Sequence, residues 1–163
     1  MDIDAEMHYP ASPDRVMAVL SDPAFQKEKC TEIGALSFDV SVTTPGDRVV
    51  LDTRRRMPVD AVPDFVRSFL GGRLEVHETQ DWGPAEADGS RDGRLTVEIT
   101  GAPIALNGTL AMRPTAAGTT VTIESVLKAS IPLFGGRAEQ AAAGPIRAAV
   151  AKEEQLAREW LAR

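Results

Sequence analysis

The stretch from Leu133 to Arg163 reads as one long helix, and it follows a succession of segments in which apolar residues recur at every second position. That change of period from 2 to 3.6 constrains the fold strongly. A long helix that ends a run of short strands must bury its apolar stripe on the sheet those strands form. The helix opens at Gly135-Gly136, contains Gly144-Pro145, and carries glutamates on its apolar side. A chain of 163 residues is expected to form one domain, residues 1–163, large enough to bury a core or line a pocket. A helix laid across a curved antiparallel sheet encloses a hollow, so the expectation is an α+β container for a small apolar molecule.

The start of the chain sets up the same plan. Ile3 to Tyr9 alternates apolar and polar residues as a half-buried strand does, and Pro10 stops it. Ser12-Pro13-Asp14 supplies an N-cap, a proline for the first helical position and an acid in the first turn. Val16, Met17, Val19 and Leu20 give that short helix its apolar face; Asp22-Pro23 starts another, Ala24 to about Ile33, which Gly34 ends.

Beyond Gly34 the period is 2. Leu36, Phe38, Val40 and Val42 alternate with polar residues, and Pro45-Gly46-Asp47 turns into a strand from Arg48 to Met57. A loop over Pro58 to Pro63 precedes a helical turn capped by Asp64, with Phe65, Val66 and Phe69, closed by Gly71-Gly72. Strands are expected over Arg73–Trp82, Arg94–Gly101, Ile104–Arg113 and Thr119–Ile131, with a mobile hairpin loop over Gly83–Gly93.

This order, strand, two helices, six strands and long helix, resembles the helix-grip superfamily of START lipid-binding domains, birch-pollen-allergen-like proteins and bacterial polyketide cyclases. The residues carrying the likeness are Ala11-Ser12-Pro13-Asp14-Arg15-Val16 with Asp22-Pro23, the Phe65–Gly72 segment, and Pro132 to Glu139 before the last helix. They look like an uncharacterised bacterial branch of that superfamily, and the likeness covers essentially the whole chain. It implies a bent, seven-stranded antiparallel sheet, two short helices at one end, and the final helix closing the concave side. The superfamily hosts carriers, cyclases, receptors and interaction proteins, so the fold alone does not select a function.

Strand parity nominates the residues facing the hollow. Candidate ligand contacts are Phe38, Val40, Leu51, Arg55, Val76, Glu78, Gln80, Val97, Leu110, Ile123 and Ser125. Arg55, Glu78, Gln80 and Ser125 are the polar exceptions among them, and buried polar groups need partners or a ligand. Arg55 and Glu78 lie on sequential strands and can pair, either near an open strand end in contact with water or as a ligand anchor. A bulge that slipped the parity would place them outside.

At about 100° per residue, Ala142, Ile146, Ala149, Val150, Leu156, Ala157 and Trp160 share one helical stripe, with Glu153 near its middle. Ile146, Ala149 and Glu153 therefore join the candidate ligand contacts. Desolvation would raise the pKa of Glu153 unless Arg55 or another donor compensates. Glu139 shares the stripe if Gly144-Pro145 does not shift the phase, and a capping role at the helix start also accounts for it. Phe65, Phe69 and Phe134 are expected at an entrance bordered by Pro58–Gly72, Gly83–Gly93 and the start of the last helix, where they gate entry or anchor loops.

A net charge of −6 argues against nucleic acid, and no apolar run approaches a membrane span. Neither a charged leader nor a disulfide is expected from the chain start and the single Cys30, which makes a reducing cytoplasm the simplest location. His8 and His77 face away from the apolar sets without a second ligand at helical or strand spacing, so no metal is expected. No cofactor fingerprint is present. The expected partner is an apolar or amphipathic small molecule; a homodimer stays open. Three readings remain: noncatalytic binding or transport, a cyclase- or hydrolase-like enzyme using Glu78, Arg55 and Glu153, and a protein-interaction module with a vestigial cavity.

Overall fold

The computed structural model describes residues 1–163. In chain order the elements are β1 (Asp2–Tyr9), α1 (Pro13–Leu20), α2 (Pro23–Glu32), β2 (Ser37–Thr43), β3 (Val49–Met57), α3 (Asp64–Leu70), β4 (Leu74–Trp82), β5 (Arg91–Ile99), β6 (Ile104–Thr115), β7 (Gly118–Ala129) and α4 (Gly135–Leu161). The strands form one antiparallel sheet in the order β1-β7-β6-β5-β4-β3-β2. β2 to β7 run as a meander, while β1 and β2 sit at opposite edges.

That topology bends the sheet. In a flat seven-stranded sheet the outer strands would lie about 29 Å apart. The link between them consists of α1 and α2, about 12 and 15 Å long, and the two helices pack on each other across a corner at Ser21-Asp22. The helices pack on each other, α1 on β6 and β7 and α2 on β2, and so draw the two edges toward one another. The helix starts are written locally. Ser12 accepts from the Arg15 N–H at 3.4 Å, Asp22 accepts from the Ala24 N–H at 2.8 Å, and Pro13 and Pro23 occupy the first turns.

α4 packs on β1 and β7 and against α1 and α2. Its inner face contains the stripe read from the sequence: Glu153, Leu156 and Ala157 are buried and Ala142, Ile146, Ala149, Val150 and Trp160 half-buried, while Ala138, Ala143 and Leu161, also buried, extend it. The stripe stays in phase across Pro145. Trp160 fixes the far end, its ring edge-on to Phe25 at 5.6 Å and its indole N–H donating to Glu28 at 2.6 Å. Glu139 caps nothing; its carboxylate lies 3.5 Å from the N-terminal amine, and Phe134 precedes the helix without a side-chain cap.

Inward parity holds on every long strand. Val49, Leu51, Thr53 and Arg55 on β3, Val76, Glu78, Gln80 and Trp82 on β4, and Val121, Ile123, Ser125 and Leu127 on β7 are all buried. Leu36 departs from the expectation: it precedes β2 and is 63% exposed. Asp64 is the first residue of α3 rather than its cap, and Pro63 takes the cap position. The Gly83–Gly93 loop is shorter than expected, because β5 begins at Arg91; turn bonds from Glu86 and Ser90 order it.

This loop also does not share an entrance with α3. Successive links of an antiparallel meander alternate ends. Residues 83–90 therefore lie at the end of the sheet where α1 begins, with Gly89 packed against Pro13. The α3 segment and the start of α4 occupy the opposite end.

Candidate functional site

The hollow beneath α4 begins with a missing side chain. One inward row runs across the sheet from Leu51 through Gln80, Leu95, Gly108 and Ser125 to Ile3. Gly108 contributes nothing to fill the space. A Cβ there would collide with the Glu124 carbonyl oxygen and with the Ser125 Cβ, so the close approach of β7 requires glycine. Ser125 is small, and α4 presents Ala149 above. The result is a cavity of about 70 Å³ lined by Ile3, Ala5, Leu95, Val97, Leu106 and Ile123 from the sheet, Ile146, Ala149 and Val150 from α4, and a polar wall.

The polar wall consists of Lys29, Arg55, Glu78, Gln80, Ser125 and Glu153. Lys29 on α2 stands at its centre, donating to Glu78 at 3.0 Å and to Glu153 at 2.5 Å. Arg55 donates to Glu78 at 2.8 Å and to the Thr53 hydroxyl at 3.2 Å. Gln80 donates to Glu78 at 3.1 Å and accepts from the Trp82 indole at 3.1 Å. Two cations and two carboxylates thus join α2, β3, β4 and α4, each at most 9% exposed.

Burial alone would push the Glu78 carboxyl up; Lys29 and Arg55, with hydrogen bonds from Arg55 and Gln80, outweigh it and hold Glu78 well below the usual carboxylate range. Burial likewise pulls Lys29 down, and Glu153 and Glu78 more than restore it, so its ammonium is held above its ordinary value. Glu78 is therefore not a base of raised pKa. Burial, followed by Glu153, pushes the nearby Tyr9 phenol up and keeps it neutral. Burial also raises the Cys30 thiol, which is fully enclosed.

Nine of the residues named from the sequence line the cavity: Arg55, Glu78, Gln80, Val97, Ile123, Ser125, Ile146, Ala149 and Glu153. Five do not. Phe38 and Val40 lie on edge strand β2, whose inner side is covered by α2, and Val76 pairs with Arg55 and Ile99 beyond the polar wall. Leu51 and Leu110 are buried in the general core. Arg55 and Glu78 pair as expected, but as an enclosed pair rather than at a wet strand end. Ser125 spends its hydroxyl on the Ile3 carbonyl.

Lys29 was missing from the sequence reading, and it is the donor that answers Glu153. Its helix is charged nearly all round, so hydropathy conceals it. Helical phase exposes it: Lys29 lies about 40° from Phe25 and between Phe25 and Cys30 on the buried side. At the α3 end, Phe65 and Phe134 meet with ring centroids 5.4 Å apart and Arg137 over both, while Phe69 stands apart and exposed. The histidines stay on the outer face, His8 beside Thr120 and Glu6, His77 bonded to Asp52 at 2.7 Å.

A bent seven-stranded antiparallel sheet gripped by a C-terminal helix over a cavity defines a helix-grip protein, and solved structures share that fold. A STAR-related lipid transfer protein from Xanthomonas axonopodis superposes with a TM-score of 0.61 at 16% identity, covering 95% of this chain and 84% of that one. Ara h 8.0201 gives 0.59 at 12% identity over 100% and 99% of the two chains. A protein from Thermus thermophilus gives 0.60 at 20% identity over 96% and 97%.

The chain belongs to the family described as protein of unknown function DUF2505, whose model matches residues 4–161. An uncharacterized protein of Mycobacterium tuberculosis is 26% identical over 102 residues, 61% of this chain. The match spans 58% of that relative's length.

Proposed function

We propose that this protein binds a hydrophobic or amphipathic small molecule, without chemical conversion, in the cavity between α4 and the concave face of the sheet. The observation that carries this reading is a hollow with nine apolar lining residues, closed on one side by a buried charge cluster. A protein of this size could have filled the space, and instead Gly108, Ser125 and Ala149 surround it. The Xanthomonas neighbour, a STAR-related lipid transfer protein, supports the same direction.

The cavity volume, about 70 Å³, is below the roughly 300–1,000 Å³ of sites that hold drug-sized ligands. The closed form takes the polar end and first carbons of such a molecule. A longer tail enters by shifting the half-buried Ile146 and Val150 on α4, whose neighbours are mostly alanine. A catalytic reading is disfavoured because Glu78 is engaged by Lys29, Arg55 and Gln80 and held far from a working base.

The test uses displacement of the neutral fluorescent probe 1-aminoanthracene, with native mass spectrometry for co-purifying ligand. Ala149→Phe should plug the cavity from above and abolish probe binding while leaving the fold intact. Undiminished binding to A149F would place the probe elsewhere and defeat the proposal.

A further inference from the structure

The polar wall restricts which amphiphile the cavity accepts; this inference rests on the binding reading above. Ser125 and Gln80 are committed to Ile3, Glu78 and Trp82, and both Glu78 oxygens accept from cations. Of the wall residues, only Arg55 and Glu153 keep whole polar atoms without a protein partner. Every hydrogen bond of Arg55 leaves from Nη1, so Nε and Nη2 have no protein acceptor. Glu153 accepts only at Oε2, so Oε1 has no protein donor. Both residues line the cavity, and they are 7% and 6% exposed. No fully buried side-chain nitrogen or oxygen lacks a partner, so these free atoms reach accessible space, and their needs are complementary: one seeks an acceptor and the other a donor.

Charge settles the rest. Lys29 and Arg55 balance Glu78 and Glu153, so the wall is formally neutral when empty. A carboxylate ligand would answer Arg55 but add a third anion beside Glu78 and Glu153. An ammonium ligand would answer Glu153 but add a third cation beside Lys29 and Arg55. Either leaves an uncompensated charge in a buried site, which is strongly unfavourable. A plain hydrocarbon leaves both Arg55 and Glu153 unanswered.

We infer that the ligand is an uncharged amphiphile whose one polar end both accepts and donates hydrogen bonds, an alcohol or a primary carboxamide, seated between Arg55 and Glu153. The hydroxyl or amide oxygen takes the free guanidinium N–H, and the O–H or N–H is given to Glu153 Oε1. Fatty acids and long-chain amines are then selected against, despite having the same tail.

Four probes with matched tails decide it: 1-octanol, octanamide, octanoate and octylamine, each displacing 1-aminoanthracene at neutral pH. The two neutral probes should bind at least about tenfold more tightly than the two ions. Glu153→Gln removes one anion and should move the preference about tenfold toward octanoate, while Lys29→Met removes one cation and should move it toward octylamine. Octanoate or octylamine matching 1-octanol on the unmodified protein would overturn the inference and leave cavity binding standing. Failure of 1-aminoanthracene and all four probes to bind would remove the binding reading, and the inference with it. If either variant does not fold, the ranking on the unmodified protein decides alone.

Discussion

Lys29→Met is the most revealing single change, because Lys29 is the only cation that touches both Glu78 and Glu153. Its side chain is 4% exposed, and those of its partners are 11% and 8% exposed. At that depth little solvent screening rescues what is left. Removing Lys29 leaves Arg55 to neutralise two carboxylates, and Arg55 bonds only Glu78. Breaking a buried ion pair by removing one partner costs about 3–5 kcal/mol. For a chain of this size that corresponds to a fall in Tm of about 6–20 °C.

The paired change Lys29→Met with Glu153→Leu removes one charge of each sign and keeps the Arg55–Glu78 pair. It should recover at least about 2 kcal/mol relative to the sum of the single variants, because apolar replacement of a whole buried pair is close to neutral. Urea unfolding followed by tryptophan fluorescence measures this directly, since Trp82 belongs to the network and Trp160 to the α2–α4 contact. A loss below about 1 kcal/mol for K29M, the usual worth of an exposed pair, would refute the buried-network reasoning. So would strict additivity in the double variant.

Other outcomes follow from the same geometry. Glu78 is held below its ordinary value of 4.5, so its contribution to stability is complete above that pH and declines as the pH falls; the Tm gap between the wild type and Glu78→Gln should narrow on acidification below about 4.5. Lys29 has the opposite sign: its contribution is complete below the ordinary lysine value of 10.5 and is lost only at still higher pH, so K29M and the wild type should converge only in strong alkali. Cys30 is fully enclosed and its thiol is raised, so an alkylating reagent should modify it at the rate of unfolding, and fast labelling of the folded protein would contradict its placement. Leu133 has φ 68° and a 96% exposed side chain, so Leu133→Gly should leave Tm unchanged or raise stability by up to about 1 kcal/mol in a thermal melt.

The parts of the fold legible in the sequence are those governed by local periodicity. Alternation on β3, β4 and β7 correctly separated inner from outer residues, and the α4 stripe placed Glu153 inside because helical phase does not depend on what covers it. The Arg55–Glu78 pair was legible because sequential strands of a meander are neighbours. What escaped was long-range assembly. Lys29 reaches the network from a helix whose charges resemble a solvated surface, and its partners lie 49 and 124 residues away in sequence. The covering of β2 by α2, which removes Phe38 and Val40 from the cavity, depends on how two edges of the sheet meet across a two-helix link. The width of the hollow depends on Gly108, which periodicity treats as a gap in the pattern rather than as a feature.

The central claim is that the space under α4 receives a ligand. A methyl NMR titration with 1-octanol tests it most directly, because the apolar walls and the exposed apolar residues give separate signals. Shifts should concentrate at Ile3, Val97, Leu106, Ile123, Ile146 and Val150, which surround the cavity. Shifts confined to the exposed Leu36, Val126 and Leu133, with the interior methyls unmoved, would contradict it.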